Sequence, residues 1–325
     1  MRRFIAMAAA VALLALAPAL TPVWAADYPE RTVSVIVPFP PGGSVDGVAR
    51  IVVDKLNQAL GPHFIVENRA GGASGNVGAN VVAKADPDGY TLLLTASLHV
   101  VNPFLYHDMP FDVIKDFTPV SLLAAGPLII STNPNVPAKN LKEFFDLVRK
   151  EPQKYTFGTT SLGSASDLVI EKIKREAGVD TLVIAYKGTG PALNDLMSGQ
   201  IQLLADPMLS SLPLAQAGRI KALAITSLKR QPNVPEIPTV EESGLPGFEF
   251  VSWYGLWGPK GLPADVTAKL HEGIAKVFAD PEVKQRMATL GFEAIGSTPD
   301  YFASFITSEM QKYGEIIKDA KIKVE

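Results

Sequence analysis

The sequence has 325 residues, a formal net charge of −3 and no cysteine. Disulfides, thiolate metal sites and a cysteine nucleophile are thereby excluded. A mildly acidic chain without basic clusters also argues against nucleic acid or an anionic membrane surface as partner. At roughly 100–200 residues per domain, two domains are expected, large enough to stand on their cores alone.

Residues 1–25 read as a secretory signal. Arg2 and Arg3 supply the positive start, the stretch from Ile5 to Leu20 is apolar apart from Pro18, and Val23-Trp24-Ala25 offers small residues for cleavage. The apolar run of about 16 residues is short of the ~20 that span a bilayer. A twin-arginine signal would need a polar residue before the pair and a basic one after it, so the general export route is expected. Cleavage near Ala25 moves the charge from −3 to −5 and leaves a soluble exported chain.

Beyond the signal, strand and helix patterns alternate. Residues 33–37 are apolar apart from Ser34, as in a buried parallel strand. Pro40-Pro41-Gly42-Gly43 stops it, and Ser44 is placed to cap a helix carrying Val45, Val48, Ala49, Val52 and Leu56 at helical spacing. Strands are expected at 63–67 and 90–95, with a short helix at 76–84. The apolar stretch 120–131 crosses to a new unit. Asn140 with Glu143 forms a capping box for a helix to Lys150.

The first pattern then recurs. A strand at 155–158 leads into Thr159-Thr160-Ser161-Leu162-Gly163, and Ser164 caps a helix ending at Gly178. Further strands are expected at 182–186, 201–205 and 222–226. Residues 230–248 form a surface connection, 250–257 an aromatic returning strand, and 263–279, 281–290 and 299–319 three late helices. This alternation predicts an α/β fold with parallel-dominated sheets. Two lobes, 26–125 with 251–325 and 126–250, would be joined by a hinge of two crossing strands near 121–131 and 250–257.

Most catalytic motifs are missing. The sequence contains no G-x-G-x-x-G, no G-x-x-x-x-G-K and no G-x-S-x-G. His63, His99, His107 and His271 show no i, i+4 pairing, which argues against a metal site. An active site assembled from distant residues needs no local motif, so an exported hydrolase stays as an alternative. What remains is a pair of small-residue loops at helix starts, Pro40 to Ser44 and Thr160 to Ser164. Helix starts offer unpaired N–H groups and partial positive charge, suited to a carboxylate. Two such loops in two lobes suggest a clamp on a small anion.

Several single residues have two readings. Asp46 either complements the helix dipole or faces the cleft. Asp167 sits where a capping-box acid belongs. Asp206 either meets a ligand amine or caps the next helix. Lys187 either pairs with a ligand carboxylate or is solvated. Trp253, Tyr254 and Trp257 are expected in core and hinge packing.

Short matches in consistent order give the chain a family resemblance. They include Tyr28-Pro29-Glu30-Arg31, Val37-Pro38-Phe39 with Pro41-Gly42-Gly43 and Asp46, Val66-Glu67-Asn68-Arg69, and Ala85 to Leu92. Lys115 to Val120, Tyr186-Lys187-Gly188, Gly199-Gln200 and Pro246-Gly247 continue the series. The chain resembles the Bug/TctC-type extracytoplasmic solute receptors of tripartite tricarboxylate transporters. The resemblance implies a two-lobed periplasmic-binding-protein fold of the second type, a small carboxylate ligand, a two-component membrane permease as partner, no cofactor and a monomeric receptor. It implies that Phe39, Pro41, Gly42, Gly43, Ser44 and Asp46 hold a carboxylate, helped by Ala96 and Ser97. It further implies that Thr160, Ser161, Gly163, Ser164 and Ser166 close from the other lobe with Tyr186, Lys187, Gly188 and Asp206. Two departures from the family pattern, Asp167 where His is common and Ala185 where Pro is common, bear on ligand identity. A sensory receptor binding the same ligand is the second alternative.

Overall fold

The computed structural model describes residues 28–71 and 73–320; the expected signal at 1–25 lies outside them. The chain opens with β1 (Val33–Val37), α1 (Ser44–Leu60), β2 (Phe64–Asn68), α2 (Asn76–Ala83) and β3 (Thr91–Ala96). A short helix, α3 (Leu98–Val101), precedes the long strand β4 (Phe117–Thr132). Next come α4 (Leu141–Lys150), β5 (Phe157–Thr159), α5 (Ala165–Ala177), β6 (Val183–Ala185) and α6 (Thr189–Ser198). Then follow β7 (Leu203–Pro207), α7 (Met208–Gln216) and β8 (Lys221–Ile225). The chain returns through β9 (Val251–Pro259), α8 (Ala264–Ala279), α9 (Pro281–Thr289), β10 (Glu293–Ala294) and α10 (Pro299–Ala320).

Local signals account for most of these boundaries. Asn140 accepts the N–H of Glu143 at 2.8 Å while the Glu143 carboxylate accepts from the Lys139 N–H, so α4 starts on a reciprocal cap. Gly178 ends α5 in the left-handed conformation at φ 61°, and the Val179 N–H returns to the Lys174 carbonyl. One cap differs from expectation. Gly43 occupies the cap of α1 without a side-chain bond, and Ser44 is already helical.

Strand β4 organises the sheets. Its first part lies between β9 and β10, both antiparallel to it; its last part lies between β7 and β8, also antiparallel. Outward from β9 the order runs β3, β1, β2, and outward from β7 it runs β5, β6. The pairs β1–β2, β1–β3, β5–β6 and β5–β7 are parallel. The parallel pattern therefore holds in the flanks, while the sheets are mixed. The two crossing strands force antiparallel pairing where they run through both sheets, and β8 joins that antiparallel centre.

Apolar burial holds this frame. Val33, Val35, Ile36 and Val37 of β1 are buried on both faces, as a parallel strand between helix layers requires. On α10, Phe302, Ile306, Tyr313 and Ile317 are buried at helical spacing. Phe302 meets Trp257 at 4.9 Å and Trp253 at 6.0 Å between ring centres, and the Trp253 indole donates to Glu309 at 2.9 Å. These contacts pin the last helix to the crossing strand β9. Phe302→Ala should cost about 3–5 kcal/mol by equilibrium urea unfolding; a loss under about 1 kcal/mol would contradict this packing.

Candidate functional site

A cavity lies where the loops after β1, β3, β5 and β6 converge. Its lining includes Phe39, Gly43, Ser44 and Asp46, then Ala96 and Ser97, then Thr160, Ser161, Ser164, Ser166 and Gly188. These eleven come from the sequence expectation. Pro40, Val45, Leu98, Ala165, Thr189, Pro207 and Ser252 join them. Three helices, α1, α5 and α6, begin at this cavity.

The starts of α1 and α5 share one construction. Gly42 has φ 89° and donates its N–H to the Asp46 carboxylate at 3.0 Å. Gly163 has φ 72° and donates to the Asp167 carboxylate at 2.9 Å. Both glycines sit in the left-handed region, where a side chain is strained. In each case an aspartate in the first helical turn reaches back and holds the loop. The matching positions are thus Gly42 with Gly163, Gly43 with Ser164, and Ser44 with Ala165. Ser44 and Ser164 are not equivalents, although both follow a glycine.

With the loops held so, backbone donors are left over. Among the described residues, the N–H groups of Ser44, Val45 and Asp46 have no protein acceptor, nor do those of Ala165, Ser166, Thr189 and Gly190. A first helical turn supplies no acceptor for its own N–H groups. The site thus presents donors and the positive ends of three helix dipoles, an arrangement suited to carboxylate oxygens.

The two aspartates differ in charge environment. Burial pushes Asp46 up, but bonds from Arg50, Gly42 and Asn68 outweigh it and hold the carboxyl below its ordinary range. Asn68 also donates to the Phe39 carbonyl at 3.0 Å, fixing the loop itself. Asp167 has no such set: burial pushes it up to about 6 against the Gly163 bond.

Other expected residues fall outside the cavity. Pro41 and Gly42 are exposed, and Gly163 is engaged in the turn. Tyr186 and Lys187 line a separate open groove with Ser74 and Tyr106. The Tyr186 hydroxyl donates to Asp195 at 2.6 Å, and Lys187 is exposed. Asp206 lies behind the cavity wall, 1% exposed. It accepts from Thr189 at 2.9 Å, from Ser211 at 2.7 Å and from Ser210. Burial pushes it up to about 6, and the three hydroxyls oppose that. His99 is neither a surface nor a cleft residue. It is packed among Phe111, Phe117 and Trp257, and burial lowers it to about 3, so it stays neutral.

Thr189 and Ser252 were missed in the sequence. Thr189 follows a glycine that reads as a plain turn, and Ser252 is hidden in an aromatic strand. The period of two could have shown it, since Ser252 and Tyr254 share the face opposite Trp253.

Comparison with known proteins places this geometry among relatives. The model of the tripartite tricarboxylate transporter family receptor matches residues 48–322. Protein BugT of Bordetella pertussis is 34% identical over 314 residues, 96% of each chain. The structure of the periplasmic binding protein BugD is similar at 36% identity and a TM-score of 0.88, covering 92% of this chain and all of that one. An R. palustris protein solved with adipate has 33% identity and a TM-score of 0.89, with the same coverage. An R. palustris protein solved with malate has 33% identity and a TM-score of 0.83, covering 89% of this chain and all of that one.

Asp206 carries a pH signature. The folded chain holds its proton up to about 6, whereas a free aspartate releases it near 4. Between these values the folded state binds more protons than the unfolded, so Asp206 lowers stability as pH rises through the window and no further above it. The stability of Asp206→Asn relative to wild type should therefore rise from about pH 4 to about pH 6 and level off beyond. Denaturant unfolding across pH checks this, and a flat difference contradicts it.

Proposed function

This chain belongs to the family of tripartite tricarboxylate transporter receptors, and on that premise we propose that it captures a small organic carboxylate in the periplasm for uptake through a separate membrane permease. The observation that carries the reading is the convergence of three helix starts, with unpartnered N–H groups, on one cavity. Carboxylate oxygens complete those donors without any basic side chain. The adipate and malate of the two R. palustris structures support an organic acid as ligand.

The cavity volume of about 50 Å³ bounds the size. A space of that size holds only a few water-sized groups. A compact di- or hydroxycarboxylate fits that better than a large aromatic acid.

Strand pairing supports a division of the lobes near residues 125 and 251. The β4–β9 ladder ends at Pro127 opposite Val251, and β4 turns to β7 from Leu128 onward. The lobes 26–125 with 251–325 and 126–250 then meet over the ligand. Ser74 donates to the Leu162 carbonyl at 2.6 Å, and Ser161 donates to Ser74 at 3.3 Å across that division.

Titration calorimetry against di-, tri- and aromatic carboxylates tests the proposal. A compact dicarboxylate should bind with a Kd of about 1 μM or tighter. Silence across the panel, with no acid recovered from the purified protein, contradicts it. Gly43 gives a sharper check. A Cβ there would lie 3.2 Å from the Thr189 Cβ across the cleft. Gly43→Val should weaken the best ligand by tenfold or more, about 1.4 kcal/mol, while Ser44→Ala weakens it less. The reverse order would mean that side chains, not backbone donors, hold the carboxylate.

A further inference from the structure

The hydroxyl protons around the cavity can be assigned, because each hydroxyl has one to give. In the loop 160–166, Ser166 donates to the Ala205 carbonyl and accepts the Thr160 N–H. Ser164 donates to the Ser161 carbonyl at 2.6 Å. The contact between Thr160 and Ser164 at 3.2 Å therefore has Thr160 as donor. Ser74 spends its proton on the Leu162 carbonyl, so Ser161 is the donor in its contact with Ser74. Thr189 donates to the Asp206 carboxylate at 2.9 Å.

All five hydroxyls on this side have thus turned their protons away from the cavity. Ser164 and Ser166 also accept bonds from within the protein. Thr160, Ser161 and Thr189 are left offering lone pairs. Thr189 is locked most firmly. Its partner is a buried carboxylate that accepts two further hydroxyls, from Ser210 and Ser211, and the three donors together favour its ionised form. Backbone N–H groups at 44–46, 165–166 and 189–190 supply the donors around the cavity, and the hydroxyls of Thr160, Ser161 and Thr189 supply its acceptor oxygens.

We infer that the ligand carries a hydrogen-bond donor, a hydroxyl or an ammonium, next to a carboxylate, and that Thr189 receives it with Asp206 as the positioning residue. The inference rests on the carboxylate reading above and narrows its ligand class. An unsubstituted acid would leave the lone pairs of Thr189 desolvated and unmet, which a site built for a donor penalises. An ammonium would gain in addition from the negative charge of Asp206 behind the threonine.

Calorimetry with matched acids tests this at three lengths. The sets are propionate against lactate and alanine, succinate against malate and aspartate, and glutarate against 2-hydroxyglutarate and glutamate. In the set that fits, a hydroxy or amino acid should bind at least tenfold tighter than the plain acid, and comparing the two identifies which donor the site takes. Thr189→Val should bring that ratio within about threefold, since the hydroxyl oxygen that accepts the ligand's donor is lost together with its bond to Asp206, and Thr189→Ser should keep it. Circular dichroism and thermal unfolding verify that both variants are folded. Equal affinity of plain and donor-bearing acids in the wild type overturns the inference and leaves carboxylate capture standing. A ratio unchanged in Thr189→Val also overturns it. Failure of every acid in every set overturns both the inference and the reading beneath it.

Discussion

One bond, made twice, sets the geometry on which this protein depends. In each half an aspartate in the first turn of a helix reaches back four residues to a glycine N–H. At Asp46 and Gly42 the distance is 3.0 Å; at Asp167 and Gly163 it is 2.9 Å. The bond closes a turn in which the glycine is left-handed. The next N–H groups then face open space instead of a chain carbonyl. Had either aspartate pointed into the cavity, its charge would repel the carboxylate that the helix dipole attracts. The same side chain therefore shapes the loop and removes its own charge from the ligand's path.

The matching turns do not make the halves alike. Asp46 is neutralised by Arg50 in a two-bond pair and tied through Asn68 to the Phe39 carbonyl, so the first loop is braced by charge. The second loop is braced by hydroxyls instead: Thr160, Ser164 and Ser166 bind one another and the end of β7. Both loops leave backbone N–H groups facing the cavity, and hydroxyl bracing in addition consumes side-chain protons and leaves acceptor oxygens there. An asymmetric cavity follows from an approximate structural repeat.

Much of the architecture was legible in the sequence. The signals are local there: apolar runs for strands, Asn140 and Ser164 for caps, Gly178 for a helix end. The crossing strands were legible as long apolar segments, but their antiparallel pairing was not, because register depends on partners far along the chain. The loops of the site were found by composition, yet their alignment was off by one. Ser44 looks like Ser164, whereas the equivalence runs through Gly42 and Asp46 to Gly163 and Asp167. Tyr186 and Lys187 are near the site in sequence, but the path after β6 turns them into the neighbouring groove. Asp206 could be placed at a strand end from sequence, but only the fold shows three hydroxyls closing over it. The burial of His99 was not legible, because the three aromatic rings that keep it neutral and buried come from distant parts of the chain.

The central claim is that backbone N–H groups of both halves hold one carboxylate ligand at the same time. Amide chemical shifts of the ¹⁵N-labelled protein, followed by transverse-relaxation-optimised spectroscopy during titration with malate, test this most directly. The account predicts that Ser44 and Val45 in one half and Ala165 and Ser166 in the other shift together, with one common dissociation constant. Shifts confined to one half, or centred on the groove at Tyr186 and Lys187, would contradict it.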